Sequence, residues 1–434
     1  MLFNNSFRTT FLLAGFLALS GAAICAAGQS RPSRVPYASI GGAKYAGPNR
    51  ESAYDLKGPT IRIGLMAPLH GPEKSAGQAI VAAAKLGLQN AMRVPLPDGR
   101  RISLTIVDTS VPPWGALGDE IIRMVIQKKV VAIVTSASAV TAHLSEQIGT
   151  KIGVPVLTLS SDPTTTEIHL PWIFRMGPSD KQQARIIAHQ LYQQDGFHRV
   201  VLVSELNPGG RAGATAFTKA MRRLGASPPV SFVINPSKAD LDRLAKVIKV
   251  DSPQAVVLWT PPCETSLVIA LVRRAAHGAV IYLCQASAQA GSGITFPLSD
   301  ATLQPSPPRG RVFVVVSRQW GNQIGQQFAR RYDAETGNNP TPVAAEAYDA
   351  VTLIVRALRK SGPNRARLRD QLAAGQGFYG VSGLISFDNQ GNNRAVAQLI
   401  GLRLLKPQAK KVDPRQVSGF NVVSIKKGMV LKGR

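Results

Sequence analysis

The sequence predicts an α/β fold of two lobes, each a mostly parallel sheet flanked by helices. Three observations predict it. In Thr60–Ala83 (TIRIGLMAPLHGPEKSAGQAIVAA), an apolar strand, Ile61–Met66, meets a loop carrying Pro68, Gly71 and Pro72 and then a helical pattern. This strand–loop–helix unit recurs along the chain. The recurrences fall into two runs of similar size, which implies two lobes. In open parallel sheets ligands bind at loops beyond the carboxyl ends of the strands, so the same units point to a site.

The first 27 residues stand apart from this pattern. Arg8 precedes the apolar stretch Phe11–Ile24, and the small residues around Cys25, Ala26 and Ala27 form a cleavage site, the pattern of a secretory signal peptide. A membrane anchor is the alternative, but the run is shorter than the ~20 residues a spanning helix needs. Cys25 raises lipidation, although Ile24 stands where a lipobox takes Gly, Ala or Ser. Residues 28–59 are rich in Gly, Ser, Pro and Arg and read as an exposed lead-in.

The elements follow in order. Strand Ile61–Met66 leads to helix Ser75–Met92, and strand Ile102–Val107 to helix Leu117–Lys128. Strand Val130–Thr135 leads to helix Val140–Ile152, then to strand Pro155–Leu159 and the polar loop Ser160–Thr166. Such near-continuous apolar strands suit a sheet covered on both faces. After Trp172–Met176 the grammar restarts with helix Lys181–Gln194 and strand Val200–Val203. Helix Ala212–Leu224, strand Val230–Ile234, helix Ala239–Val250 and strand Ala255–Trp259 continue it. Helix Ser266–Ala276 and strand Val280–Leu283 precede a Pro-rich stretch, Pro297–Pro308, and the strand Val312–Val316. Helices Gln323–Thr336, Val343–Ser361 and Ala366–Ala374 come next. A hairpin of Leu384–Phe387 with Ala397–Leu404, turning through DNQGNNR, is expected after them, and an edge strand within Phe420–Leu431. The late return of helices and strands assigns residues 60–176 with 318–387 to one lobe and 177–317 with 388–434 to the other. Crossings are expected within Arg175–Asp180, Val316–Trp320 and Phe387–Asn392.

Composition narrows the function. The 434 residues are 44% hydrophobic and 18% charged, which is globular rather than disordered. No segment after the leader has ~18 uninterrupted apolar residues, so the mature chain is expected to be soluble. Cleavage after Ala27 leaves Cys263 and Cys284; export permits a disulfide between them, but their spacing cannot set how closely they approach. No His or Cys spacing resembles a ligand set, so neither metal nor cofactor is expected. A net charge of +26 raises nucleic-acid or membrane-surface binding. The basic pairs Lys128–Lys129, Arg222–Arg223 and Arg273–Arg274 instead close predicted helices, where cations complement the dipole. Aromatics are only 6% and do not interleave with the basic residues, so no stacking platform is suggested. A solvated basic surface without nucleic acid is favoured; an anionic ligand or an acidic partner stays open.

At this point the chain resembles a family: type 1 periplasmic binding proteins, in the branched-chain-amino-acid (leucine)-binding branch of ABC importers. The resemblance runs from Ile61 to about Leu405. IRIGLMAPLHGPEKSAGQAIVAAAKLGLQNA is similar to the family's opening strand, Gly-Pro loop and first helix. VVAIVTSASAVTAHLSEQIGTKIGVPVLTLSS is similar to its third strand, Ser-rich turn, helix and fourth strand. WIFRMGPSDKQQARIIAHQL resembles the first crossing into the second lobe, and GVSGLISFDNQGNNR the late hairpin with an Asp-x-x-Gly turn. The resemblance implies a clamshell in the periplasm that closes on a small solute and docks on a membrane permease. It implies no catalysis, and a monomer or weak dimer. Ligand contacts from both lobes would favour the closed state by differential affinity.

Site residues are carried over on the same footing. Ser136 and Ser138 follow the third strand, where the resemblance implies a turn holding a ligand carboxylate near a helix N-terminus; a plain N-cap serine is the alternative. Ser160, Ser161 and Asp162 follow the fourth strand, where the family holds the ligand's polar head; an Asx or serine turn is the alternative. In the second lobe Glu205 and Asn207, Thr260 and Cys263, and Gln285 with Ala286 follow successive strands at the ligand-facing ends, or else form ordinary strand-end loops. Trp259 reads as core. His70 and His143 flank the expected cleft, as surface histidines or as a pH-sensitive pair.

Three departures bear on the ligand. Ala76 stands where amino-acid binders usually place an aromatic before Gly77, and Pro261 and Pro262 occupy another aromatic's stretch. No carboxylate stands near Gln285–Ala286 to meet a ligand ammonium, and an unpaired buried charge is costly; Glu205 or Glu264 is the available substitute. A branched-chain amino acid, an amide, and a neutral or anionic solute therefore all stay open. Two other functions compete with a receptor. An enzyme is disfavoured, because GPEKSAG (Gly71–Gly77) lacks the Gly-Lys-Ser/Thr ending of a phosphate loop and no Gly-x-Ser-x-Gly elbow or paired acid motif occurs. A clamshell that senses or scaffolds with an altered pocket is the second.

Overall fold

The computed structural model describes residues 55–402, except 112, 169, 236, 295, 297–311, 318–321 and 375–376. The leader, most of the lead-in, the Pro-rich stretch, most of the middle crossing and the C-terminal edge strand lie outside the described residues.

The first lobe begins with β1 (Thr60–Ala67), α1 (Lys74–Ala91), β2 (Arg101–Asp108) and α2 (Gly118–Ile126). β3 (Ala132–Val134), α3 (Ala139–Ile152), β4 (Val156–Thr158), the single turn α4 (Thr164–Glu167) and β5 (Ile173–Arg175) follow. The second lobe takes α5 (Asp180–Ala188), β6 (Val200–Glu205), α6 (Pro208–Arg223), β7 (Val230–Ile234), α7 (Lys238–Asp251), β8 (Ala255–Trp259), α8 (Pro262–Ala275), β9 (Val280–Leu283) and β10 (Val312–Ser317). The chain then returns to the first core with α9 (Gln323–Thr336), α10 (Pro342–Ser361), α11 (Arg365–Ala373), β11 (Phe378–Gly380) and β12 (Gly383–Ile385), and ends in β13 (Ala397–Leu402).

Capping explains where the helices start. Ser179 and Gln182 make a reciprocal capping box on α5. Asn207 caps α6 ahead of Pro208, and Thr341 caps α10 ahead of Pro342, each proline filling a first-turn position whose N–H would be unpaired anyway. Gly153 ends α3 and Gly337 ends α9 in the left-handed conformation that only glycine adopts cheaply.

Both sheets are wound alike. The first has the order β2-β1-β3-β4-β5 and is parallel throughout. The second has the order β13-β10-β9-β8-β6-β7, parallel except for β13 against β10. Each therefore reverses direction beside its first strand, at β1/β3 and at β6/β8, and the crevice at such a reversal is where open α/β sheets take ligands.

Each sheet has a core on both faces. α10, nearly all buried, packs with α1 over one face of the first sheet, and α2 and α3 cover the other. α7 with α8, and α5 with α6, do the same for the second. The close fit of α1 on α10 needs Gly87, since a Cβ there would stand 2.6 Å from the Tyr348 carbonyl oxygen.

The expected hairpin is corrected. Gly383–Ile385 pairs with Phe378–Gly380, whereas Ala397–Leu402 pairs antiparallel with β10 in the second sheet. The apolar face of β13 completes an edge of the second sheet, where Ile400 and Leu402 join its core, so the segment between them is a crossing. Its Asp388 caps the DNQG turn, accepting from the Gln390 and Asn392 N–H groups. This crossing lies against the one after β5: the Arg175 N–H donates to Gly391 O (2.8 Å) and the Asn393 N–H to Arg175 O (3.2 Å).

Candidate ligand-binding site

The loops at the two reversal points face each other around a cavity of about 90 Å³. The first lobe contributes the loop after β1, the turn after β3 and the loop after β4; the second contributes the loops after β6, β8 and β9. The lobes also meet beside the cavity: a Cβ on Gly291 would stand 3.6 Å from the Ser75 Cβ.

Eight of the ten candidate residues line this cavity: Ser136, Ser138, Ser160, Ser161, Asp162, Glu205, Asn207 and Thr260. Ser138 is the N-cap residue of α3, yet its side chain makes no capping bond, and Ser136 Oγ accepts from its N–H instead (3.3 Å). A hydroxyl and a helix N-terminus are thus both turned to the same wall. Ser160 Oγ accepts from the Asp162 N–H, and Asp162 Oδ1 accepts from the Thr164 N–H (2.9 Å) and Oγ1 (2.7 Å). Asn207 serves the cap of α6 through Gly210 N–H (2.8 Å). Thr260 is buried, and its hydroxyl shares a hydrogen bond with Thr265.

Cys263 and Gln285 do not line the cavity. Pro262 starts α8 four residues earlier than the sequence suggests, which puts Cys263 in the first helical turn, half-buried. Gln285 is turned away: its N–H donates to Gln183 Oε1 (2.8 Å) and its side chain bonds Glu346 beneath the crossing. Cys263 and Cys284 are free thiols, and Cys284 lines the cavity.

Several lining residues escaped sequence reasoning. Trp259 is core and lining at once: it packs on Phe217, and its Nε1 donates to Asp180 Oδ1 (3.0 Å). Asp180 opens α5. Glu73 lies in the Gly-Pro loop after β1, the one sequence signal that marked its neighbourhood. Behind the wall, Arg175 is buried and holds the loop after β4. Its guanidinium donates to the carbonyls of Ser160, Asp162 and Pro163 and to Thr166 Oγ1, and its Nε to Asn392 Oδ1.

The electrostatics of the wall are uneven. Burial works to raise the Asp162 carboxyl, but hydrogen bonds from His143 and Thr164 overcome it and hold it below its usual value. His143 in turn bridges Asp162 (3.3 Å) and Glu146 (3.1 Å), and these bonds push its imidazole up to about 9. It therefore stays charged through the range in which a histidine switch acts. Burial raises Asp180, against the bonds from Trp259 and Ser161 and the nearby Arg175 cation. Glu205 is pushed up to about 8 by burial, with the negative charges of Glu264 and Glu73 adding to it. Burial and Glu73 push Glu264 up to about 7. No Lys, Arg or His lines the cavity among the described residues.

Two similarly wound sheets facing each other across a shared cavity, with connectors running back and forth, define a two-lobed binding protein. The chain belongs to the periplasmic binding protein family, whose model matches residues 60–406. The resemblance read from the sequence is borne out. The chain is 25% identical over 203 residues to a Leu/Ile/Val-binding protein, BraC3, of Rhizobium johnstonii. That match covers 45% of this chain and 53% of the relative, about half its length. Among solved structures, a leucine-binding protein LivK of Thermotoga maritima superposes with a TM-score of 0.67 at 17% identity, over 78% of this chain and 94% of that one. A substrate-binding protein LivJ of Streptococcus pneumoniae, in complex with isoleucine, gives 0.67 at 21%, over 78% and 95%. A Rhodopseudomonas palustris solute-binding protein in complex with benzoate gives 0.67 at 18%, over 79% and 93%. At these identities the structural likeness speaks for the fold.

Proposed function

We propose that this protein is the solute receptor of an ABC-type importer: it captures one small organic solute between its lobes in the periplasm and presents it to a membrane permease. The observation that carries this reading is the cavity, lined from both lobes at the reversal points of both sheets. A ligand that touches both lobes stabilises the closed arrangement by the contacts it makes only there. Ser136, Ser138, Ser160, Ser161 and Asp162 hold the solute's polar groups from the first lobe, and Glu205, Asn207 and Thr260 meet it from the second. The N-terminal leader directs export. The curated relative's branched-chain specificity, and benzoate in a structural neighbour, mark the range of solutes this architecture serves.

The test is thermal unfolding of freshly purified protein before and after dialysis in denaturant and refolding, with mass spectrometry of what is released. A receptor releases a solute whose re-addition raises the melting temperature; at about 100 times Kd the gain is ~2.7 kcal/mol. No released solute and no response to any small solute would point to a scaffold. Turnover of the bound solute would point to an enzyme.

A further inference from the structure

Resting on the receptor reading, we infer that the solute carries net positive charge, as an organic amine or guanidine seated at Glu73 and Glu205. The charged groups divide into two sets. Asp162 is paired with His143, and Asp180 lies near Arg175 and is bonded by Trp259. Glu73, Glu205 and Glu264 have no counter-charge, although Asn207 hydrogen-bonds Glu205: the charges that reach Glu205 are those of Glu264 and Glu73, and the charge that reaches Glu264 is that of Glu73. Glu73 comes from the first lobe and Glu205 and Glu264 from the second, so closing the lobes draws like charges together. Coulomb repulsion between them costs more as water leaves. Without a cation, part of that cost is met by keeping protons.

Glu264 adds a second, independent sign. It sits in the first turn of α8, where a carboxylate suits the helix dipole. Yet it is 6% exposed, and its Oε2 is buried with no hydrogen-bond partner among the described residues. Ordinary buried polar atoms are satisfied. Glu264 does not itself line the cavity; a cation at Glu73 and Glu205 gives those two carboxylates their missing opposite charge and acts on Glu264 only through space. It also bridges the lobes, so that closure is favoured only when the site is filled. An anionic solute would meet a cavity whose charged lining is entirely acidic among the described residues. The protein's net charge of +26 makes this local reversal of sign the more specific.

The experiment uses the purified full chain, stripped of solute, and four probes of five or six carbons. They are 4-methylpentanoate, leucine, 3-methylbutylamine and 1,5-diaminopentane, with net charges rising from negative to doubly positive. Binding is measured by calorimetry and by melting temperature. The expected result is that the amines bind most tightly, and that Glu205→Gln and Glu73→Gln each weaken them about tenfold, ~1.4 kcal/mol. Raising the salt concentration weakens the amines as well. Tighter binding of leucine or 4-methylpentanoate than of 3-methylbutylamine overturns the inference and leaves the receptor reading intact. So does a neutral or anionic solute released from the purified protein. If no probe binds and nothing is released, the receptor reading itself fails.

Discussion

Replacing Glu346 with glutamine should flatten the pH dependence of stability. Glu346 lies on α10 directly under the first crossing, where a Cβ on Gly177 would stand 2.4 Å from its Oε1. It is 3% exposed and its Oε2 has no partner among the described residues. Burial, with the Asp349 charge adding to it and a hydrogen bond from Gln285 opposing it, pushes the carboxyl from 4.5 up to about 8. The folded protein therefore keeps a proton that the unfolded chain has already released between those values. The stability this proton provides is complete below pH 4.5 and is lost as pH rises to 8. One proton corresponds to about 1.4 kcal/mol per pH unit, so the whole window spans on the order of 5 kcal/mol. Glutamine keeps the neutral shape and removes the titration. The assay is urea unfolding of both proteins at pH 5, 6, 7 and 8. The variant should gain on the wild type by about 1.4 kcal/mol for each pH unit. Glu205, Glu264 and His143 titrate in both proteins and cancel in the difference. Parallel profiles for wild type and variant would refute a neutral, buried Glu346.

Three further outcomes are expected. Ser138→Ala should leave the melting temperature within about a degree, since the hydroxyl caps nothing, and weaken capture of the released solute several-fold, ~1 kcal/mol for a lost hydrogen bond; calorimetry checks it. Asp349→Ala removes the acceptor of the Val381 and Ser382 N–H groups, both at 2.8 Å, and should cost on the order of 2–4 kcal/mol in urea unfolding. Gly391→Ala places a Cβ 2.2 Å from the Ile173 carbonyl oxygen at a φ of +83°, and should lower stability by at least about 2 kcal/mol in a thermal melt.

The alternation of strands and helices was legible because both sheets are buried on two faces, so their strands are unbroken apolar runs such as Val200–Val203 and Ala255–Trp259. The loops after those strands were legible for the same reason, and they supplied eight of the cavity's residues. Helix starts built on proline were not. Pro208 and Pro262 look like loop punctuation in sequence, but a cap residue or an extended neighbour turns each into a first helical turn. That hid the true place of Cys263. Nor could local pattern separate a hairpin from a crossing at residues 386–396. The two readings differ only in which strand lies beside β13, a long-range fact. Arg175 and Glu346 were invisible for a related reason: a buried charge is recognised by the partners that surround it, and those are distant in sequence.

The paired crossings have a mechanical consequence. The chain after β5 and the chain before β13 are hydrogen-bonded side by side through Arg175, Gly391 and Asn393, and the Asn393 Nδ2 ties them again at Met176 O (2.7 Å). Two strips bonded along their length resist sliding past each other and resist stretching, but still bend across their thin direction. Such a strap favours bending over sliding, the hinge form of domain closure. A molecule with one soft coordinate needs few contacts to select between its end states. Contacts made in the cavity act on that bending, and Arg175 ties the cavity wall at Ser160 and Asp162 directly to the strap.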